Sequence, residues 1–265
     1  MRLTGGEPLL RPDLPQLIDR IRSIPTIRSV GITTNGMTLS RRLPDLMSAG
    51  LTHVNVSLDT LREDRFTEIT RRKGLDRVLR ATDDAVSAFD ESILLLPSED
   101  DRDMKDDDDI VSRSMRRRAG RVKINNVVMR GFNDDEMVDF VNMTEGRNLD
   151  VRFIEWMPFL DNGWNKDRFF SYKEMLERMT SGGGGAGRGD GDGEGEDRGT
   201  TTDAAVLRRL EDGPNDTTKW WSAGPEHKGR VGFITSMSSN FCSSCRPPLC
   251  ADDCKMSRNS KTLTL

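Results

Sequence analysis

The chain has 265 residues, 34% hydrophobic and 32% charged, and its 40 basic and 44 acidic side chains leave a net charge of −4. That balance gives no bulk attraction to nucleic acid, and no apolar run approaches the roughly 18 residues of a membrane helix. All four cysteines, Cys242, Cys245, Cys250 and Cys254, lie near the C-terminus, which points to a metal or cluster site in a reduced compartment rather than a disulfide scaffold.

The chain opens MRLTGGEPLLRPDL. Paired glycines, Gly5 and Gly6, let a ligand approach the backbone, and Glu7 offers a fixed negative charge to an ammonium or hydroxyl. A tight turn with a helix-capping glutamate explains the same residues. Leu14, Leu17, Ile18 and Ile21 then follow the spacing of one buried helix face, with Pro12 and Asp13 suited to its first turn. SVGITT (29–34) reads as a strand stopped by Asn35-Gly36, and LPDLMSAG (43–50) as a helix ending in a glycine cap. HVNVSLD (53–59) is a second strand, followed by helices that carry Phe66, Ile69, Val78, Leu79 and Val86. VKINNVVM (122–129) and VRFIEWM (151–157) are strands flanking a helix at about 134–144. Strand and helix alternating in this order argue for a parallel sheet, doubly wound or closed toward a barrel.

Two stretches break the pattern. PSEDDRDMKDDDDIVSRSMRRR (97–118) sets an acidic block against a basic one, and SGGGGAGRGDGDGEGEDRGTTTD (181–203) is glycine-rich and charged. Neither has apolar burial to offset the entropy of ordering, so both read as disordered insertions. DGDGEGED lacks the spaced ligands of a calcium loop.

Thr33, Thr34 and Asn35 end one strand, and Ser57 and Asp59 end the next. Each residue could simply cap the helix that follows. Together with Glu7 they occupy three consecutive positions on the C-terminal rim of a parallel sheet, where ligand sites are built. Lys123, inside VKINNVV, either snorkels at a sheet edge or meets an anion, with the edge reading slightly ahead. Arg2 carries the same ambiguity. Met157 reads as core filler and His53 as a satisfied structural residue. FCSSC gives Cys242 and Cys245 the CxxC spacing of zinc ribbons, iron–sulfur sites and redox dithiols. The four cysteines are too compressed for a pair of zinc knuckles.

The ordered series RLTGGEPLLRPDL, GITTNG, HVNVSLDT, VKINNVVMRGFNDDE, VRFIEWMPF, NGW and GRVGFITSMSSNFCSSC resembles the GTP 3′,8-cyclase family of molybdenum cofactor biosynthesis, within the radical S-adenosylmethionine (SAM) superfamily. GGE alone points to the superfamily; the series ending in FITS and FCxxC points to the cyclases. The resemblance implies an α/β fold, a partial (β/α) barrel with two [4Fe–4S] clusters. One cluster, on a CxxxCxxC loop, cleaves SAM to a 5′-deoxyadenosyl radical. The radical takes the 3′ hydrogen of GTP, and the ribose carbon joins C8 of guanine to give 3′,8-cyclo-7,8-dihydro-GTP.

Residue by residue, the resemblance assigns Gly5, Gly6, Glu7, Ser57 and Met157 to SAM, and Arg2, Thr33 and Lys123 to GTP. Cys242 and Cys245 become ligands of the second cluster, whose third ligand falls where Asn259 stands, with Cys254 or Cys250 as substitutes. Pro247, Pro248 and Leu249 replace an arginine-rich segment of the family. The first strand and CxxxCxxC loop should stand ahead of TGGEP, so the expectation is a truncated chain, inactive as written. Its expected parts are a partial barrel over 1–180, the glycine-rich insertion over 181–203, and a cluster segment over 204–265 that diverges after about 246. The resemblance further implies an electron donor, a downstream pyranopterin-forming enzyme and a homodimer, with no nucleic-acid or membrane partner. It implies the bacterial cytoplasm or, favoured by the insertions, the mitochondrial matrix of a eukaryote. Another radical SAM enzyme with an auxiliary cluster, and a non-catalytic remnant that binds nucleotide or zinc, remain as alternatives.

Overall fold

The computed structural model describes residues 1–94, 120–158, 162–180, 207–212, 216–235 and 237–238. The expected insertions at 97–118 and 181–203, and the segment carrying Cys242, Cys245, Cys250 and Cys254, lie outside them.

Short β-branched runs form parallel strands, and amphipathic helices return the chain between them. In order these are β1 (Arg2–Leu3), α1 (Leu14–Arg22), β2 (Gly31–Thr34), α2 (Leu39–Ser48), β3 (His53–Ser57), α3 (Glu63–Thr70) and α4 (Leu75–Leu94). Then come β4 (Arg121–Val128), α5 (Met137–Asn142), β5 (Leu149–Glu155), α6 (Tyr172–Thr180), β6 (Arg208–Arg209), β7 (Lys219–Ser222) and β8 (Val231–Ile234). The eight described strands make one sheet, ordered β1-β2-β3-β4-β5-β8-β7-β6. Neighbours from β1 to β8 run parallel; β7 and β6 return antiparallel.

From β1 to β5 the order advances one strand at a time without reversing, so the sheet is not doubly wound. It is an open, mostly parallel sheet, a partial (β/α) barrel. One sheet face is apolar, with Leu3, Ile32, Val54, Val56, Val122, Ile124, Val151, Phe153 and Phe233 all buried. Leu14, Ile18 and Ile21 of α1, Leu43 and Leu46 of α2, and Val78 and Ala85 of α4 belong to the same core cluster. β8, β7 and β6 continue this sheet beyond β5.

Several expected boundaries move. α2 begins at Leu39 rather than Leu43, which leaves Pro44 inside the helix. Its far end is as expected: Gly50 takes φ +96° while the Gly50 and Leu51 N–H groups bond the carbonyls of Met47 and Leu46, closing the helix as a Schellman motif. In α1 the first-turn proline is Pro15, and Asp13 pairs with Arg11 at 2.7 Å instead of capping. The helix after β4 is confined to Met137–Asn142, because a turn closed by the Asp134 carboxylate on the Gly131 N–H occupies its expected start.

Candidate functional site

Alternation along the strands leaves the other sheet face polar. Pairing register arranges that face in rows. The lowest row is Arg2, Gly31, His53 and Arg121. Above it lie Thr33, Asn55, Lys123 and Asp150. The next row holds Ser57, Asn125, Arg152, Gly232 and Trp220. Arg2, Thr33, Lys123 and Ser57 therefore share one face over three consecutive rows, about 6–7 Å apart from row to row along a strand. β4 lies between β3 and β5, so the edge reading of Lys123 fails: its ammonium has no sheet edge to reach.

The lower rows are rich in cations. The Lys123 ammonium lies 5.2 Å from the centroid of the Trp220 ring, against which the Arg230 guanidinium packs at 4.1 Å. The Trp220 indole N–H donates to Asp216 at 2.6 Å. Arg152, 6% exposed, donates through Nε and Nη2 to the Asn125 amide oxygen at 2.9 and 2.6 Å. Asp150 is the buried counter-charge, bound by Arg121 at 2.7 Å and Arg230 at 2.9 Å. Burial, then the repulsion of Arg152, lowers Lys123 to about 8; burial, then Arg2, lowers Arg152 to about 10. Such a cluster holds its charge at a cost that an incoming polyanion relieves. Composition does not reveal it, since the whole chain is slightly acidic.

His53 has a structural place. Its Nδ1 sits 2.8 Å from Thr52 Oγ1, and burial, followed by Lys123 and Arg2, depresses its pKa to about 4.

The C-terminal rim is built differently. Gly5 and Gly6 take φ of +99° and +21°, and a Cβ at Gly6 would meet nothing within 4 Å, so the backbone there lies open to a ligand. Glu7 spans two loops: it accepts from the Leu9 N–H at 3.0 Å, the Thr34 hydroxyl at 2.7 Å and the Asn35 N–H at 2.8 Å. Those bonds use three of the roughly four acceptor positions of a carboxylate and leave one for an ammonium. Thr34 and Asn35 do the local turn work, accepting from the Gly36 and Met37 N–H groups. Thr33 instead stays on the polar face, where Asn55 Nδ2 donates to it at 3.3 Å. Ser57 is exposed at the end of β3. Met157 lines a cavity of about 510 Å³ together with Asp59, Ile69, Val127, Ile154 and Trp156, so it is a cavity wall as well as a packing residue. Asp59 accepts from the Val127 N–H at 2.8 Å rather than capping α3, and burial raises its pKa to about 6.

Asn55, Asn125, Arg152, Trp220 and Arg230 were not singled out as site residues by their sequence context. The signal was present in RVKINNVV, whose polar Arg121, Lys123 and Asn125 alternate with apolar positions, and in Asn55, two residues before Ser57. Among the described residues no group of three or more His, Cys, Asp or Glu side chains could hold a metal ion.

Residues 1–111 match the Radical SAM superfamily. The chain's relatives reach much further along it. Molybdenum cofactor biosynthesis protein 1 of Drosophila melanogaster is 40% identical over 245 residues, 92% of this chain and 34% of that protein. The mitochondrial GTP 3′,8-cyclase of Arabidopsis thaliana is 34% identical, over 92% of this chain and 50% of its own length. GTP 3′,8-cyclase of Alkaliphilus metalliredigens is 35% identical over 246 residues, 92% of this chain and 60% of that one. The chain thus spans between a third and three-fifths of the length of these relatives. The residues that match the superfamily carry β1, β2 and β3, while β4 to β8 of the same sheet lie beyond them.

Proposed function

We propose that the polar face of the sheet is the substrate cleft of a GTP 3′,8-cyclase, which converts GTP to 3′,8-cyclo-7,8-dihydro-GTP in molybdenum cofactor biosynthesis. The observation that carries this reading is the stack of cations on that face, Arg2, Lys123, Arg152 and Arg230, in a chain whose named cyclase relatives align over 92% of its length. Lys123 and Arg152 would hold the triphosphate, Arg2 would reach it from β1, and Thr33 would add a hydroxyl between them. Arg152 suits this task because its guanidinium is pre-oriented by the Asn125 oxygen, leaving N–H groups for a phosphate.

The residues of the rim fit SAM. The open backbone at Gly5 and Gly6 and the remaining acceptor position of Glu7 suit an aminoacyl end. Ser57 offers a hydroxyl, and Met157 with its cavity suits a flat adenine. When bound beside a reduced iron–sulfur cluster, SAM supplies one-electron chemistry. This chain's own residues orient the nucleotide beneath it, since Ser57 stands one row above Asn55 on β3. Cys242 and Cys245, with Cys254 or Cys250, would hold the second cluster. The reading brings with it an external electron donor, a pyranopterin-forming enzyme that consumes the product, and a homodimer. It favours the mitochondrial matrix over the bacterial cytoplasm, in keeping with the word mitochondrial in the name of the plant relative.

The test is an anaerobic assay of the full-length gene product, loaded with iron and sulfide, reduced, and given SAM and GTP. The expected product is the cyclised nucleotide together with deoxyadenosine. Deoxyadenosine without a cyclised nucleotide would overturn the reading in favour of another radical SAM substrate.

A further inference from the structure

Asn55 is 1% exposed and stands between Thr33 and Lys123 in the second row of the polar face. Its amide N–H donates to Thr33 Oγ1 at 3.3 Å, while its Oδ1 is buried with no hydrogen-bond partner. A buried amide oxygen without a donor costs the full desolvation of that group, so such atoms are rare unless a ligand or bound solvent completes them. The missing partner lies on the sheet face that also carries Lys123, beside Asn55 in its row, and Arg152, one row above. The occupant must therefore carry negative charge toward Lys123 and Arg152 and, close by, an O–H or N–H toward Asn55.

In a nucleotide the ribose hydroxyls stand next to the phosphate chain, whereas the donors of a guanine lie on the far side of the base. With Asn55 one strand away from Lys123, about 5 Å, the near donor is the sugar. Resting on the nucleotide cleft proposed above, we infer that Asn55 Oδ1 accepts a hydrogen bond from a ribose hydroxyl of the bound nucleotide, and so positions the sugar and selects for ribose. The residue acts by holding the ribose on the β3 side of the cleft, below Ser57.

The test is GTP binding by the whole chain, measured by titration calorimetry, beside 2′-deoxy-GTP, 3′-deoxy-GTP and ITP, which lacks the 2-amino group. For the unaltered chain one of the two deoxynucleotides should bind about tenfold more weakly than GTP, the cost of one neutral hydrogen bond left unmade. Asn55→Ala should weaken GTP by about the same factor and bind that deoxynucleotide and GTP equally, within about twofold. Any preference for GTP over ITP should survive the substitution. Asn55→Asp matches the side chain in volume and keeps an acceptor. It should weaken every nucleotide by charge repulsion yet retain the preference for the ribose form, which keeps the test open if the alanine variant does not fold. Equal losses for GTP and both deoxynucleotides in Asn55→Ala, loss of the ribose preference in Asn55→Asp, or a GTP-over-ITP preference that vanishes in its place would overturn this inference alone. Failure of the unaltered chain to bind GTP would overturn the cyclase reading with it.

Discussion

Lys123 shows how one residue's surroundings set its chemistry. Burial and the neighbouring Arg152 hold its ammonium near pKa 8, below the 10.5 of an exposed lysine. The folded chain therefore binds its proton less tightly than the unfolded chain does. Protonated Lys123 opposes folding below about pH 8, and that penalty is relieved as the pH rises from 8 toward 10.5. Phosphate binding pulls the other way, because it favours the charged form. GTP affinity is accordingly expected to fall as the pH climbs through 8, by up to about tenfold per unit, as the ammonium is lost. Lys123→Arg, which does not titrate in this range, should flatten the profile. Calorimetric titrations from pH 7 to 9.5 at constant ionic strength decide it; an unchanged slope in the arginine variant would mean that Lys123 does not meet the phosphates. The same residue marks the reach of sequence reasoning. A lysine among apolar neighbours is ambiguous until the strand order is known, and the order depends on pairings made far along the chain. Thr33 and Ser57 were legible because each lies at or beside the end of a strand, whereas Asn55 sits mid-strand, marked only by its two-residue spacing from Ser57.

At the scale of elements, the sequence pattern located α1, the terminal glycine of α2 and four of the eight described strands to within two residues. Register carried the rest. Arg152 and Trp220 acquire meaning only because Arg152 pairs with Asn125 on one side and Gly232 on the other, and Gly232 then pairs with Trp220. None of these pairings is local in the chain. α2 shows a propensity overridden. Proline belongs in the first turn of a helix, so LPDLMSAG reads as a helix starting beside Pro44, yet the helix starts at Leu39. Leu39, Leu43 and Leu46 are all buried, and this apolar face extends the helix backwards past the proline. Pro44 itself is exposed, so its ring contributes little packing to offset the missing N–H. Pro44→Ala is therefore expected to stabilise the protein by about 1–3 kcal/mol, somewhat less than the full helix-interior penalty because the unfolded chain regains freedom. Urea unfolding of the two proteins measures the difference; a loss of stability would mean that the proline shapes the helix against its neighbours.

Across the whole molecule, buried and half-buried carboxylates fasten segments to one another in addition to the sheet pairing. Glu7 ties the loop after β1 to the end of β2, and Glu136 joins the start of α5 to Thr60 and Leu61 beyond β3. Asp150 fastens β4 and the entry to β8 onto β5. Glu155, at the C-terminal end of β5 and 1% exposed, accepts from the Tyr172 N–H at 2.9 Å, the Met237 N–H at 2.7 Å, and the Ser238 N–H at 3.0 Å, and also from the Ser238 hydroxyl. One side chain thus anchors the start of α6 and the segment leaving β8, the segment that leads toward Cys242. Removing it takes the acceptor from three backbone donors and one hydroxyl, those of Met237 and Ser238 at exposed residues. At about 1 kcal/mol for each bond lost, and with water able to meet the exposed donors of Met237 and Ser238, Glu155→Ala is expected to cost about 1–3 kcal/mol, and Glu155→Gln, which keeps one acceptor oxygen, about 1 kcal/mol. Denaturant unfolding gives the totals, and amide exchange gives the distribution. Tyr172, Met237 and Ser238 should lose protection in the alanine variant before the amides of β2 and β3 do. Uniform acceleration across the sheet would instead make Glu155 part of the global core rather than a local fastening. A small loss with those three amides still protected would mean that neighbouring groups or water replace it, and the end of β8 would then be held by its pairing with β5 and β7.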